Sequence, residues 1–477
     1  MMSKKFIIIL SVIASALIAG GVGVLIWWLV RENRYTGPFE TIILENDAFG
    51  DVKYNAAFTR IRDVGDIFWW FFPSSEVDKP ILLLLGGIVG FPHSFLLNFG
   101  GLGPLDLNLN ARNNSLVEDF HLLFVDALPG TGFSRQDDAF KVSNTSDETV
   151  DHLMYTLQSF YEANTKYEDA PLYIMEQGDG SLLAIPLTIR LANDTRFSEN
   201  IKGLFLGNAI ISPALALTKL GFYLEELGYI DGLGREAIEN FSNTTSHLVS
   251  RNLFDEAFDQ FVSLGEFVNE EAGAIAVNLA YIVQKITRNS TDSYFGQRSY
   301  TQRALLTDAQ SFMEGTIAPR LGISDVTYDQ HRDSVIEAFR PVYMQPTVEN
   351  VEYILNNHRN ISVTLYNGNL DAVSNTPGQL AWIENMTWYG GNDFKASNRR
   401  TLSINRLIEG YYQQYNNLNF FWINVAGHNV NIFLITNKKT TRGCFGQYRS
   451  CKGNAKDGYK REYVVNGFIN THKKYLF

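Results

Sequence analysis

A chain of 477 residues with 45% hydrophobic and 19% charged residues is globular in composition and carries enough apolar material for a large core, which excludes a disordered chain. Its net charge of −11 argues against a nucleic-acid partner, because phosphate recognition needs a basic surface. Two cysteines, Cys444 and Cys451, lack zinc spacing and have no histidine at ligand spacing; no metal or cofactor is expected, and in an oxidising compartment they would form a disulfide.

In chain order, Lys4 and Lys5 precede an uncharged run from Phe6 to Val30, predicted to be a transmembrane signal-anchor helix. As a helix it would be about 37 Å long, which spans the roughly 30 Å hydrocarbon core with some tilt. A secretory hydrophobic region is shorter, roughly 7–15 residues, and ends at a small-residue cleavage site. This run ends in Trp27 and Trp28, which suit the headgroup boundary; a cleaved signal peptide is the alternative. Residues 1–5 then form a short cytosolic tail and 31–45 a polar stalk, with Arg31 and Arg34 weakening the charge bias that Lys4 and Lys5 set. Ser15, Ala19 and Gly23 lie four apart and could pair two helices, which leaves a homodimer open; bilayer-facing small residues explain them equally. Asn113, Asn144, Asn193, Asn240, Asn243, Asn289, Asn360 and Asn385 each start an N-x-[ST] triplet, the pattern of a glycosylated lumenal or extracellular domain, although an Asn-rich sequence also produces such triplets by chance.

The body of the chain, 46–428, alternates buried strands with helices. Strands are predicted at 81–87 (ILLLLGG), 121–134 (HLLFVDALPGTGFS, with its loop), 172–176 (LYIME), 202–208 (KGLFLGN), 361–369 (ISVTLYNGN) and 419–428 (NFFWINVAGH). Helical spacing marks 150–163 and 181–192. Unbroken apolar strands between helices indicate an α/β fold with a mainly parallel sheet covered on both faces. The stretch from about 213 to 345 turns mostly helical and is predicted to be an insertion, or lid. Residues 429–477 form a C-terminal extension that carries the cysteine pair. Ten Lys/Arg between Lys438 and Lys474 face only Asp457 and Glu462, which reads as a solvated basic tail or as a contact for anionic lipid or an acidic partner.

In such a sheet, ligands collect beyond the carboxyl ends of the strands. After 81–87 the GGIVG run, 86–90, could aim backbone N–H groups at a developing oxyanion, or be a plain turn. After 172–176 the turn Gly178–Asp179–Gly180–Ser181 stands where an α/β-hydrolase places its nucleophile, yet neither serine nor cysteine occupies the apex. Asp371, after LYNGN, can orient a histidine, and His428, in VAGHN, follows the last strand. The order elbow, acid, histidine is that of an α/β-hydrolase.

At these residues the chain resembles the serine carboxypeptidases, and their retinoid-inducible and vitellogenic branch most closely. The resemblance runs from about Asp47 to His428. It is carried by IFWWFF (67–72), PILLLLGGIVG (80–90), GLGPLD (101–106), LLFVDALPGTGFS (122–134), IKGLFLGNAIISP (201–213), LYNGNLDAVSNTPGQLAWIENMTW (365–388) and AGH (426–428). It implies an α/β-hydrolase fold with Asp371 and His428 at the acid and base positions and Gly87 and Ile88 as oxyanion-hole donors. The family elbow Gly-Glu-Ser-Tyr-Ala-Gly is altered. Counting forward from PLYI puts Gly178 at the serine; counting back from Pro186 puts Asp179 there. The positions that recognise a substrate carboxylate are degraded as well. The acid before the serine becomes Gln177 or Gly178, the acidic pair before Gly-Pro becomes Gly100 and Gly101, and the amide of the Gly-rich loop becomes Gly86.

Histidine can activate only a hydroxyl that is present. The expectation is therefore a membrane-anchored, catalytically inactive serine carboxypeptidase homologue that acts by binding a peptide, lipid or partner chain in its former substrate cleft. The alternatives are an active hydrolase of the serine carboxypeptidase type, which would trim C-terminal residues through Ser181 after a register shift, and a hydrolase with Asp179 as nucleophile.

Overall fold

The computed structural model describes residues 37–428 apart from 46, 90, 113–114, 138–142, 274–275, 286–307 and 405. The predicted anchor at 6–30, Asn113, Asn289, Cys444, Cys451 and the basic extension lie outside the described residues. Among the described residues, no helix is long and apolar enough to cross a membrane.

Twelve strands form one sheet: β1 (Phe39–Leu44), β2 (Asn55–Ile61), β3 (Gly65–Phe72), β4 (Ile81–Leu85), β5 (His121–Val125), β6 (Arg135–Gln136), β7 (Leu172–Gln177), β8 (Ile201–Gly207), β9 (Ser362–Gly368), β10 (Arg400–Ile404), β11 (Leu407–Tyr415) and β12 (Leu418–Ile423). Their order is β1-β2-β3-β5-β4-β7-β8-β9-β12-β11-β10, with β6 paired to β3. From β5 to β12 every neighbouring pair is parallel, and antiparallel strands flank this block on both sides. Parallel strands are buried on both faces, which is why β4 (ILLLL) is apolar without interruption. The β3 run shows how the sheet divides the core. Trp69 and Phe71 point into one apolar cluster, and Trp70 and Phe72 into the other, as the two-residue strand period requires.

The helices are α1 (Ser146–Ala163), α2 (Ser181–Asn193), α3 (Pro213–Leu217), α4 (Leu220–Glu226), α5 (Gly232–Ser250), α6 (Phe254–Glu271), α7 (Ala318–Leu321), α8 (Arg332–Tyr343), α9 (Val348–Asn357), α10 (Thr376–Asn385) and α11 (Gly391–Ala396). Thr145 caps α1, its hydroxyl accepting from the Glu148 amide at 3.2 Å, and Asp147 and Glu148 suit the positive end of the helix dipole. Between β8 and β9 the described residues form helices and turns with no strand. The sheet itself starts earlier than predicted. β1 lies in the segment read as stalk and pairs antiparallel with β2 from Phe39 opposite Ile61. The β10–β11 edge was not legible either, because the exposure of β11 follows neither a continuous apolar run nor a clean alternation.

Five strand ends meet on one side of the sheet: β4 before Gly86, β7 before Gly178, β8 before Asn208, β9 before Asp371 and β12 before His428. On one face, Phe160 of α1 meets Trp69 edge-on at 5.5 Å and Phe71 at 4.9 Å between ring centroids. Phe160→Ala removes that aromatic contact and leaves a cavity; a loss of about 3–5 kcal/mol is expected in urea unfolding, with the m-value unchanged.

Candidate active site

The chain leaves β7 at Gln177 in extended conformation, turns at Gly178 with φ +71°, and enters a 3-10 turn that runs into α2. That is the strained strand-to-helix turn of an α/β-hydrolase elbow. A Cβ built on Gly178 would lie 2.9 Å from His428 Nε2. Of the two counts that the sequence allowed, the geometry selects Gly178 as the residue whose side chain would face the imidazole. Glycine carries no penalty at this φ, whereas other L-residues are strained there.

The acid and base positions are brought together. His428 Nδ1 and Asp371 Oδ2 are 2.8 Å apart, and both side chains are buried. The same carboxylate accepts from Asn208 Nδ2 at 2.5 Å and from the Val373 amide at 2.8 Å. Asn208 follows β8 with φ +46°, and its Oδ1 accepts from the Gly368 amide at 3.1 Å, so it ties the end of β9 to the acid loop. Residues 279–282 are tied to these loops through the backbone. The His428 amide donates to Ala280 at 2.6 Å, the Ala372 amide to Leu279 at 2.8 Å, and the Ile282 amide to Leu370 at 3.0 Å.

The remaining candidates take other places. Ser181 is buried behind the elbow, and its hydroxyl donates to the carbonyls of Gly178 at 3.0 Å and Ile210 at 3.1 Å. It braces the turn rather than facing His428. Gln177 Nε2 donates to the His428 carbonyl and so links elbow to base loop. Asp179 turns toward the loop after β4: its Oδ2 accepts from the Val89 amide at 2.6 Å, and Gly87 leaves room for its Oδ1, which a Cβ at 87 would overlap. The Ile88 side chain packs into the core, and its carbonyl accepts from Arg332 Nη1 at 2.7 Å. Gly86 is pressed against Pro92 and the His93 amide, and Gly101 belongs to the π-turn Asn98–Leu102. Sequence reasoning missed Arg332 and the Asn208–Asp371 bond. Asn208 stood in the KGLFLGN segment, so its signal was present; Arg332 is 244 residues from its partner and had none.

The sheet is mixed rather than mainly parallel, but its central block is parallel, and an elbow after one of those strands, an acid after a later one and a histidine after the last define an α/β-hydrolase. A family model described as serine carboxypeptidase (peptidase S10) matches residues 51–437, and the chain belongs to that family. It is similar to the retinoid-inducible serine carboxypeptidase of Rattus norvegicus, 27% identical over 398 residues, which cover 78% of this chain and 87% of the relative. It is also similar to serine carboxypeptidase-like 51 of Arabidopsis thaliana, 26% identical with the same coverage. Among solved structures, Kex1(delta)p, a prohormone-processing carboxypeptidase from Saccharomyces cerevisiae, superposes with a TM-score of 0.65 at 18% identity over 82% of this chain and 92% of that one, a likeness of fold.

Two buried acids near the site are shifted toward their protonated forms. Burial pushes Asp126 up to about 7, against the opposing pull of the Phe133 amide and Ser94. Glu176 is raised well above the ordinary carboxyl range, by burial first and by Asp179 next. An unfolded chain would release these protons near pH 4. The stability they contribute is therefore complete below about pH 4 and is lost as pH rises, through about 7 for Asp126. The unfolding midpoint should fall by several degrees between pH 5 and pH 8. Asp126→Asn, which keeps the acceptor without the charge, should flatten that slope; an unchanged slope in differential scanning fluorimetry would count against the assignment.

Proposed function

We propose that this protein is a catalytically inactive member of the serine carboxypeptidase family that acts by binding a peptide or protein segment in its former substrate cleft. One observation carries the reading: the elbow residue aimed at His428 Nε2 is a glycine, so the imidazole meets no side-chain hydroxyl there. Ser181 cannot serve while its hydroxyl is engaged by two carbonyls on the buried side of the turn. Asp179 is poorly suited to act as a nucleophile, because its carboxylate is directed at the Val89 amide. Loss of the carboxylate-recognition side chains at 86, 101 and 177 supports the same reading.

We place the bulk of the chain in the lumen or outside the cell, anchored through residues 6–30. The supporting observation is that Asn144, Asn193, Asn240, Asn243, Asn360 and Asn385, the described sequon asparagines, are all exposed. Glycosylation on that side would show as a mobility shift on treatment with peptide N-glycosidase.

The intact Asp371–His428 geometry favours the rival reading, an active hydrolase of the serine carboxypeptidase type. C-terminally varied peptides at pH 4–7 separate the two. No release of terminal residues and no labelling by a fluorophosphonate probe are expected above a His428→Ala control. Turnover that disappears in His428→Ala would establish the rival.

A further inference from the structure

The loop after β4 and the amide after the elbow are where an α/β-hydrolase collects N–H donors for the oxyanion. In this chain a carboxylate is already seated at that loop. Asp179 Oδ2 lies 2.6 Å from the Val89 amide nitrogen. Its Oδ1 fills the space beside Gly87 that any larger residue would occupy. Asp179 is buried, and the Arg332 guanidinium is drawn to it electrostatically. Arg332 is itself buried, gripped by Asp329 and hydrogen-bonded to the Ile88 carbonyl at 2.7 Å. One loop is thus held at consecutive residues, its carbonyl at 88 by a cation and its amide at 89 by an anion.

A buried carboxylate persists only where donors and counter-charge replace its water. Both are supplied here, and glycine at 87 supplies the volume.

We infer that Asp179 is a built-in anion that fills the cradle of the 87–89 loop, and that it closes the site to an acyl oxyanion independently of the glycine at 178. This rests on the reading that 86–90 is the oxyanion loop. An oxyanion arriving at this loop would meet a negative charge. Two separate changes, Gly178 and Asp179, then block acyl transfer, and restoring a serine corrects one of them.

The test is anion rescue. Asp179→Ala vacates a carboxylate-sized space, whereas Asp179→Asn keeps it filled. In roughly 0.1 M formate the Asp179→Ala unfolding midpoint should rise by a few degrees over an equal concentration of chloride, because an anion bound only by the folded state stabilises it. Wild type and Asp179→Asn should show no such difference. An Asp179→Ala protein that responds to formate no more than wild type overturns the inference. A second arm compares fluorophosphonate labelling of Gly178→Ser with that of Gly178→Ser/Asp179→Ala. The double variant should label faster, by roughly tenfold or more, because a like charge beside the developing oxyanion is removed. Equal labelling of the two, fast or absent, also overturns it. Peptide turnover by the wild-type protein would defeat the proposed function and leave the formate result intact, so the two failures are distinguishable.

Discussion

A carboxylate removed from water must be matched by donors on every side, and Asp371 is matched by three: His428, Asn208 and the Val373 amide. These partners come from the ends of three neighbouring strands, β8, β9 and β12. The pair is therefore a structural closure of the sheet edge as much as a chemical device. Removing one member of a buried, hydrogen-bonded pair typically costs about 3–5 kcal/mol, because the other is left unmatched. That constraint holds with or without a nucleophile. An intact acid–base geometry is accordingly weak evidence for turnover, and it explains how Asp371 and His428 could persist after the hydroxyl they would serve is gone.

The elbow shows the same logic of paired accommodation. Glu176 is fully buried at the end of β7, and a Cβ on Gly180 would crowd its Cβ and Oε2 at 3.2 Å. Asp179 needs Gly87 in the same way. Each acid is thus coupled to a glycine that makes room for it. With its serine at 178, the family pattern Gly-Glu-Ser-Tyr-Ala-Gly has glycine where this chain has Glu176 and alanine where it has Gly180. Bulk and space have moved together here, which argues that the altered turn is a packed arrangement of its own rather than a serine elbow with one atom missing.

The fold was legible because the parallel strands are short unbroken apolar runs that end in turn residues, and each such run became a strand. Asp371 and His428 were legible for a related reason: strand ends and chain order place them without any contact map. The apex was not. Gly178–Asp179–Gly180 offers three residues compatible with a tight turn, and counting from either side gives a different answer. Only the positive φ and the direction of a Cβ at 178 decide. The seat of Asp179 at Val89 was hidden by a separation of 90 residues, and that of Arg332 at Ile88 by 244. β1 was missed because its six residues, FETIIL, are too short a run to fix a period and none of them is fully buried.

Energetics at position 178 bear on how firmly the site has departed from the family pattern. A serine there would carry the strain of φ near +71°, about 1–2 kcal/mol for an L-residue in the left-handed region. Glycine avoids that strain but loses more backbone entropy on folding, roughly 0.5–1 kcal/mol relative to alanine. The strain is the larger of the two terms, so the backbone favours glycine at 178, by up to about 1 kcal/mol. What separates this turn from a serine elbow lies beside it: the imidazole stands close enough that a Cβ at 178 would press on Nε2, and the neighbouring loop already holds a charge of its own. On the proposed reading, a return to acyl chemistry would need more than the hydroxyl, because several residues packed around it would have to change together.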